Sequence, residues 1–504
     1  MNNNKRFIIN IVSTAMRACG AAMLPVSLVG LYFGENSSAM VLFLMSIITI
    51  TMGKQVGNFV PDPPEPPVSR VRYMSVLITW VLLIIIGAFP FYGAGDGYSY
   101  INSLFESCAG FCTTGISIIP FRTMPVCLQL WRVMCSWTGG LLCLMLTMSL
   151  SPSMLVTTGR KLFSAEIPSL SMLKNSATYR GVYFKLMVVY SSITVGGTLL
   201  LILLGMRKFD SLITAMCSIS TAGLPMFSLK ETAAFNSGIK AVITLLNFLG
   251  SLNVALMYIT IIHGLKTAVK NNEFRMFIKV ILAGTAVISG SQIVHLFHAG
   301  TLASSQGPLH IALQICRTIL NSLFMTVSFS STSGYATTNF MDRTTMTTSV
   351  LLILSIIGAC AVSTGGGIKI SRFQIVAKTV RLGLFRHVHP SAVKPLKVNG
   401  KTLDSAVVLK YMMYMVLFLV FILFGALILS LDNLNIDQCF DISTAMLTTN
   451  GTILTNLGNE TALVNSLTPL SKITMMVLMT AGRIEIYPVM MLLFKGFWIT
   501  KSNK

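Results

Sequence analysis

At 504 residues, 53% of them hydrophobic and only 11% charged, the chain has too little polar surface for a soluble globular fold. Its mean hydropathy of +0.74 leaves room for roughly ten bilayer spans of ~20 residues and almost nothing for a soluble domain. In a soluble protein the net charge of +21 would suggest nucleic acid; here the basic residues lie between apolar runs, where they set topology.

Lys5 and Arg6 followed by apolar residues could open a signal peptide, but Arg17 interrupts the run and hydrophobicity resumes to Tyr32. A retained first helix is therefore expected over residues 7–33, with a second over 38–53 after Gly34-Glu35-Asn36. A proline-rich linker, Pro61-Asp62-Pro63-Pro64-Glu65-Pro66-Pro67, then breaks the chain, because proline cannot continue a helix.

Beyond the linker one unit recurs in order: a span, a short amphipathic segment, a small-residue loop closed by glycine, and a second span. The spans and short segments fall at 71–94, 100–111 and 126–150; at 182–206, 209–219 and 238–264; at 275–298, 313–330 and from about Thr347; and at 406–431, 437–447 and 471–494. The loops read Cys112-Thr113-Thr114-Gly115, Ser220-Thr221-Ala222-Gly223, Ser331-Thr332-Ser333-Gly334 and Thr448-Thr449-Asn450-Gly451. The expected division is an N-terminal helix pair with linker over 1–70 and four repeats over 71–155, 156–268, 269–400 and 401–504.

Charge sets the orientation. Stretches between units carry Arg160, Lys161, Lys174, Arg180 and Lys185; then Lys266, Lys270, Arg275 and Lys279; then Arg372, Lys378, Arg381, Arg386, Lys394, Lys397 and Lys401. These are expected on the cytoplasmic side. Asp96, Glu106, Asp342 with Arg343, Asp432, Asp437, Asp441 and Glu460 flank the loops, which are expected to dip in from outside.

Irregular backbone at membrane depth is tolerated only where protein buries it or a watery path needs it. Four such loops can meet on one axis, where glycine turns carbonyl oxygens inward and serine and threonine add neutral oxygens. Each short helix aims the negative end of its dipole at that axis, which favours a cation. Carbonyl rings can replace the hydration shell of a monovalent ion, and the lack of Asp or Glu in the loops argues against a divalent one. Two further features stand out. Ser363-Thr364-Gly365-Gly366-Gly367-Ile368-Lys369 should break the last span of the third unit and form a mobile intramembrane gate. Gly482-Arg483-Ile484-Glu485 puts charge inside the final span, where Arg483 could act as a barrier or hold the glycine segment.

These residues resemble the superfamily of potassium transporters that includes TrkH, TrkG, KtrB and the plant HKT proteins. The marks are Phe111-Cys112-Thr113-Thr114-Gly115, the run from Ser363 to Lys369 followed by Arg372, Gly482-Arg483-Ile484-Glu485, and Trp131-Arg132 with Trp137-Thr138-Gly139-Gly140. Pro25, Leu28, Leu31 and Gly34-Glu35 in the opening pair point to the TrkH/TrkG branch. The resemblance implies an all-α polytopic protein of the cytoplasmic (inner) membrane, four span–pore-helix–loop–span repeats in pseudo-fourfold arrangement plus two N-terminal helices. It implies inward potassium transport through a filter of Thr113, Thr114, Gly115, Thr221, Ala222, Gly223, Thr332, Ser333, Gly334, Thr449, Asn450 and Gly451, with K+ at the carbonyls of the four glycines. It implies a gate of Gly365, Gly366, Gly367, Lys369 and Arg483, a homodimer, and a cytoplasmic nucleotide-binding regulatory subunit of the TrkA type. No nucleotide fingerprint occurs in this chain, so no organic cofactor is expected in it. Departures are Cys108 and Cys112, where small or hydroxyl residues are common in the family, and Asn450 before the fourth glycine. In the plant branch a serine at the first glycine accompanies sodium preference; Gly115 favours potassium.

Three alternatives remain at this level. One is a sodium- or proton-coupled cation symporter of the same superfamily. A secondary transporter of a small organic solute would want charged or aromatic residues at the broken helices, where the loops offer carbonyls and hydroxyls. A membrane enzyme could use His295 and His298, three residues apart, but they lack a third ligand; His387 and His389 lie in a basic loop. The ten cysteines include no CxxC pair and read as buried small hydrophobes.

Overall fold

With no water in the bilayer core, a spanning backbone must satisfy its own hydrogen bonds, and here it does so by folding into helices. The computed structural model describes residues 3–60, 69–94, 98–158, 179–223, 229–254, 256–257, 260, 264–298, 308–336, 344–390, 395–398, 401–403 and 405–493. The proline-rich linker, Asp96, Arg160, Lys161, Lys174, Asp342, Arg343 and Lys394 lie outside the described residues. Among the described residues, seven helices are long and apolar enough to cross a membrane.

The opening pair is α1 (Asn3–Tyr32) and α2 (Asn36–Asn58). Small residues let their backbones approach: Ser46 Oγ donates to Gly20 O at 2.8 Å and Ser13 Oγ to Gly53 O at 2.7 Å. The Glu35 carboxylate between them accepts from the amides of Val126 and Cys127 at 2.6 and 2.9 Å. It thereby caps the N-terminus of the next long helix but one and ties the pair to the first repeat.

The repeats are α3 (Ser69–Ala94), α4 (Tyr100–Phe111) and α5 (Val126–Thr158); α6 (Tyr179–Leu203), α7 (Lys208–Ile219) and α8 (Ser237–Ser251); α9 (Asn272–His298), α10 (Pro308–Ser330) and α11 (Thr345–Ile357), followed by α12 (Ile370–Val388); and α13 (Ser405–Leu429), α14 (Ile436–Leu447) and α15 (Pro469–Arg483), followed by α16 (Ile486–Leu493). In every repeat the first span packs on its own short helix: α3 on α4, α6 on α7, α9 on α10, α13 on α14. Part of this contact uses one device: Gly87, Gly284 and Gly425 let the span approach Ser107, Thr326 and Ser443 of the short helix. Ser107 Oγ then donates to Ile84 O at 2.7 Å and Ser443 Oγ to Ile422 O at 2.8 Å.

The second span packs on the short helix of the next repeat: α5 on α7, α8 on α10, α11 on α14, and α15 back on α4. The last repeat therefore closes on the first, and the four short helices surround one axis. The largest buried core lies where this closure occurs, joining residues of α3, α4, α13 and α15.

Two second spans differ from the uninterrupted helices expected of them, while the third repeat's breaks as its triple glycine leads one to expect. The one expected over 238–264 stops at Ser251, the third stops at Ile357, and the one expected over 471–494 is split at Ile484 and Glu485. The freed backbone groups find partners. Ser251 O accepts from Cys360 N at 3.1 Å, and Val254 N donates to Val362 O at 3.1 Å. The third short helix also differs: α10 has 23 residues where α4, α7 and α14 have 12 each, so it begins about three turns earlier.

Candidate ion pathway

The short helices all end in the same way. Thr113 N donates to Gly110 O and Thr114 N to Ala109 O, both at 2.8 Å. The same two bonds recur as Thr221 to Ser218 with Ala222 to Cys217, Thr332 to Phe329 with Ser333 to Ser328, and Thr449 to Met446 with Asn450 to Ala445, all between 2.8 and 3.2 Å. This is the Schellman C-cap, in which the residue past the helix adopts a left-handed conformation. Glycine usually fills that position. Here threonine does so four times, with φ of 53° at Thr113, 54° at Thr221, 61° at Thr332 and 56° at Thr449. A β-branched residue in this region is strained by about 1–2 kcal/mol.

The glycines mark where the loops meet. A Cβ on Gly115 would lie 2.6 Å from Ala222 O and 2.7 Å from Gly223 O. One on Gly223 would run into Ser333 O, one on Gly334 into the Asn450 and Thr452 side chains, and one on Gly451 into the amides of Gly115 and Ile116. Each loop abuts the next, and the fourth abuts the first. Gly223, Gly334 and Gly451 also have φ of 51°, 80° and 75°, whereas the need for glycine at Gly115 is one of space alone. A cavity of about 600 Å³ opens beside the ring and is lined by all four glycines, with Arg122, Glu231 and Glu460 among its other residues.

Within the ring, Thr113, Thr114, Ala222, Thr332, Ser333 and Thr449 are fully buried, and Thr221 and Asn450 nearly so. The hydroxyls of Thr113, Thr114 and Thr449 and the Asn450 Oδ1 have no hydrogen-bond partner, which fits them to a cation. Not every expected oxygen is equally free: Thr114 O accepts from Arg132, and Gly334 O from Thr452 Oγ1 at 2.8 Å.

Glu106 and Arg132 hold the first loop. Neither side chain has any exposed surface, and they pair at 3.0 Å. Glu106 Oε1 accepts from Ser117 Oγ at 2.6 Å and from the amides of Ile118 and Ile119 at 2.6 and 3.1 Å. Arg132 donates to the carbonyls of Thr114 and Ile116, both at 3.0 Å, and to Ser136 Oγ at 2.9 Å. Glu106, expected as an outward-facing charge, is instead an internal brace. In the fourth repeat Asp441 Oδ2 plays a similar part, accepting from Thr455 N at 2.7 Å and Thr455 Oγ1 at 2.9 Å.

Beneath the ring lies the irregular segment 358–369, with positive φ at Gly358, Val362, Gly367 and Lys369. It touches the third and fourth loops and the end of α7. Gly366 N donates to Thr332 Oγ1 at 2.7 Å, and a Cβ on Gly366 would strike Thr448 O. Thr364 Oγ1 donates to Ile219 O at 3.0 Å and Gly250 O at 2.8 Å. Lys369 Nζ donates to Gly365 O. Arg483, buried at the end of α15, donates to Thr364 O and, at 3.3 Å, to Gly139 O of the first repeat. Thus Gly365, Gly366, Gly367, Lys369 and Arg483 come together directly below the loops. Glu485 pairs with Arg372 rather than with Arg483, and Arg372 lies 4.2 Å over the Tyr414 ring.

Some contributors gave no local signal. Glu273, in the first turn of α9, accepts from Ala361 N at 2.5 Å and holds the front of the irregular segment. Gly139, Gly250 and Gly482 each sit where a Cβ would hit the last carbonyl of a short helix, that of Phe111, Ile219 or Leu447. Gly139 and Gly482 fall within runs the sequence already marks, whereas Gly250 does not.

A family model described as TrkH, a cation transport protein, matches residues 38–497. The Trk system potassium uptake protein TrkG of Escherichia coli (strain K12) is 26% identical over 482 residues, 95% of each chain. TrkH of the same strain is 27% identical over 444 residues, 85% of this chain and 86% of its own. The crystal structure of the potassium transporter TrkH from Vibrio parahaemolyticus has the same fold, with a TM-score of 0.85 over 98% of this chain and 99% of that one at 24% identity. The family match takes in all four loops, the segment beneath them and both charged runs, and the chain belongs to the TrkH family of cation transport proteins, multi-pass proteins of the cytoplasmic membrane.

Proposed function

We propose that this protein carries potassium into the cell along the axis enclosed by the four loops. The observation that carries the reading is the closed ring: four identical left-handed threonine caps, each glycine abutting the next loop in cyclic order. Four helix C-termini, each equivalent to roughly half a negative charge, converge on that axis and lower the cost of dehydrating a cation there. Oxygens of Thr113, Thr114, Gly115, Thr221, Ala222, Gly223, Thr332, Ser333, Gly334, Thr449, Asn450 and Gly451 replace its water, with the glycine carbonyls as the principal ligands. The cavity beside the ring receives the ion from outside.

Segment 358–369 closes the inner side. Its contacts with Thr332, Thr448 and Ile219 support this reading, in which ions pass when the segment moves. Arg483 and Lys369 hold it shut through its own carbonyls and oppose a cation below the ring. The protein acts as a homodimer, with a nucleotide-binding regulatory subunit docked on its basic cytoplasmic face, and the repeats divide at residues 71, 156, 269 and 401. The family relationship and the potassium transport named in its relatives support this reading.

Purified protein in liposomes is expected to take up rubidium, with potassium competing far better than sodium. Equal competition by the two ions, or no uptake by correctly folded protein, would contradict the reading. Uptake that depends on an imposed pH or sodium gradient would assign the protein to coupled symport.

A further inference from the structure

Away from the axis, a cavity of about 720 Å³ lies between the second and third repeats, bounded by α8, α9 and α10. Its walls are apolar, and Leu245, Leu282 and Leu320 line it while remaining about half exposed on the lipid-facing surface. One end is basic. Lys240 stands in the first turn of α8 and donates to Ala233 O at 2.9 Å and, across the groove, to Asn321 Oδ1 of α10 at 3.4 Å. Arg317 lies on α10, which overshoots the other short helices, and this overshoot brings it to the level where those helices begin. Among the described residues neither cation pairs with a carboxylate.

Two cations without an acidic partner at the mouth of an apolar, membrane-facing groove complement one kind of molecule. We propose that the groove binds an anionic phospholipid, with its phosphate between Lys240 and Arg317 and acyl chain along Leu245, Leu282 and Leu320. A guanidinium offers planar paired donors to a phosphate, and an ammonium held by two neutral acceptors keeps a third donor for it. Basic pockets between membrane helices hold lipid head groups by this chemistry. The leaflet follows from the proposed orientation, in which the loops enter from outside; the binding itself does not depend on it. The lipid would wedge the second repeat against the third and steady the α8–α10 contact beside the ring.

The test is retention of phosphatidylglycerol by the purified full chain in detergent, read by native mass spectrometry, against phosphatidylcholine of the same acyl chains. Phosphatidylglycerol is expected to be retained preferentially, and the double variant Lys240→Gln, Arg317→Gln to weaken its binding by roughly tenfold or more. Leu282→Trp, which fills the groove and leaves both charges, should also lose it. Rubidium uptake by each variant monitors folding and separates failure of the lipid site from failure of the transport reading. Equal retention of the two lipids, unchanged binding in the double variant, or displacement by inorganic phosphate alone would overturn the proposal. So would cross-linking of two copies of the chain through Leu282→Cys, because a second protomer would then cover the groove.

Discussion

The threonines at positions 113, 221, 332 and 449 occupy a conformation that glycine would adopt without strain. Their hydroxyls give a reason for tolerating the cost. Thr449→Gly is expected to leave thermal stability unchanged or slightly raised, because about 1–2 kcal/mol of backbone strain is released. On the proposed reading the same change removes a buried, unpartnered oxygen from the filter, and it should reduce discrimination between potassium and sodium in liposome flux. A variant that loses stability but keeps its selectivity would argue that the threonine serves packing alone. Arg132 presents the opposite case, a side chain valued for rigidity. Arg132→Ala strands the buried Glu106 carboxylate and should lower the stability of the detergent-solubilised protein by about 3–5 kcal/mol, measured by thermal or chemical unfolding. Arg132→Lys should recover little, since an ammonium cannot reach Glu106, Thr114 and Ile116 together. The glycines closing the loops were legible in the sequence because they recur in phase. The burial of Glu106 was not, because a charge near an expected outer loop reads as topology until its partner, 26 residues away, is placed beside it.

At the scale of elements, the informative feature is the set of breaks at Ser251, Ile357 and Arg483. The triple glycine announced one of them. The one at Ser251 lies in an apolar run that hydropathy reads as continuous, and its backbone partners come from the distant segment 358–369; the one at Arg483 adjoins a charged run that the sequence marks as charge within a span and not as a break. The charged pairs were equally hidden. Arg372 meets Glu485 across 113 positions, a pairing that sequence proximity could not suggest. Two variants probe the segment. Arg483→Ala removes its hold on Thr364 and a positive charge near the path, and is expected to raise potassium flux. Glu273→Ala frees Ala361 N at the front of the segment and should also raise flux, with little change in selectivity because the ring is untouched. Lower or unchanged flux in either correctly assembled variant would mean that the segment is not the barrier.

At the scale of the molecule, the packing of α5 on α7, α8 on α10, α11 on α14 and α15 on α4 turns a linear series of repeats into a closed one. The order of the units was readable from hydropathy and charge. Their closure was not, because it depends on contacts between the first and last repeats, some 370 residues apart, as where Lys472 donates to Asn102 Oδ1 at 3.2 Å. Closure makes the four glycines parts of one site, and that is the claim to be tested. Gly115→Ser and Gly451→Ser place a side chain against the neighbouring loop, whereas Gly290→Ser, on a span with open space around it, serves as the control. The decisive measurement is the ratio of potassium to sodium flux in liposomes for these three variants. A ratio that falls in the two ring variants and holds in Gly290→Ser is the predicted result. A ratio unchanged by Gly115→Ser and Gly451→Ser in folded protein would contradict the account.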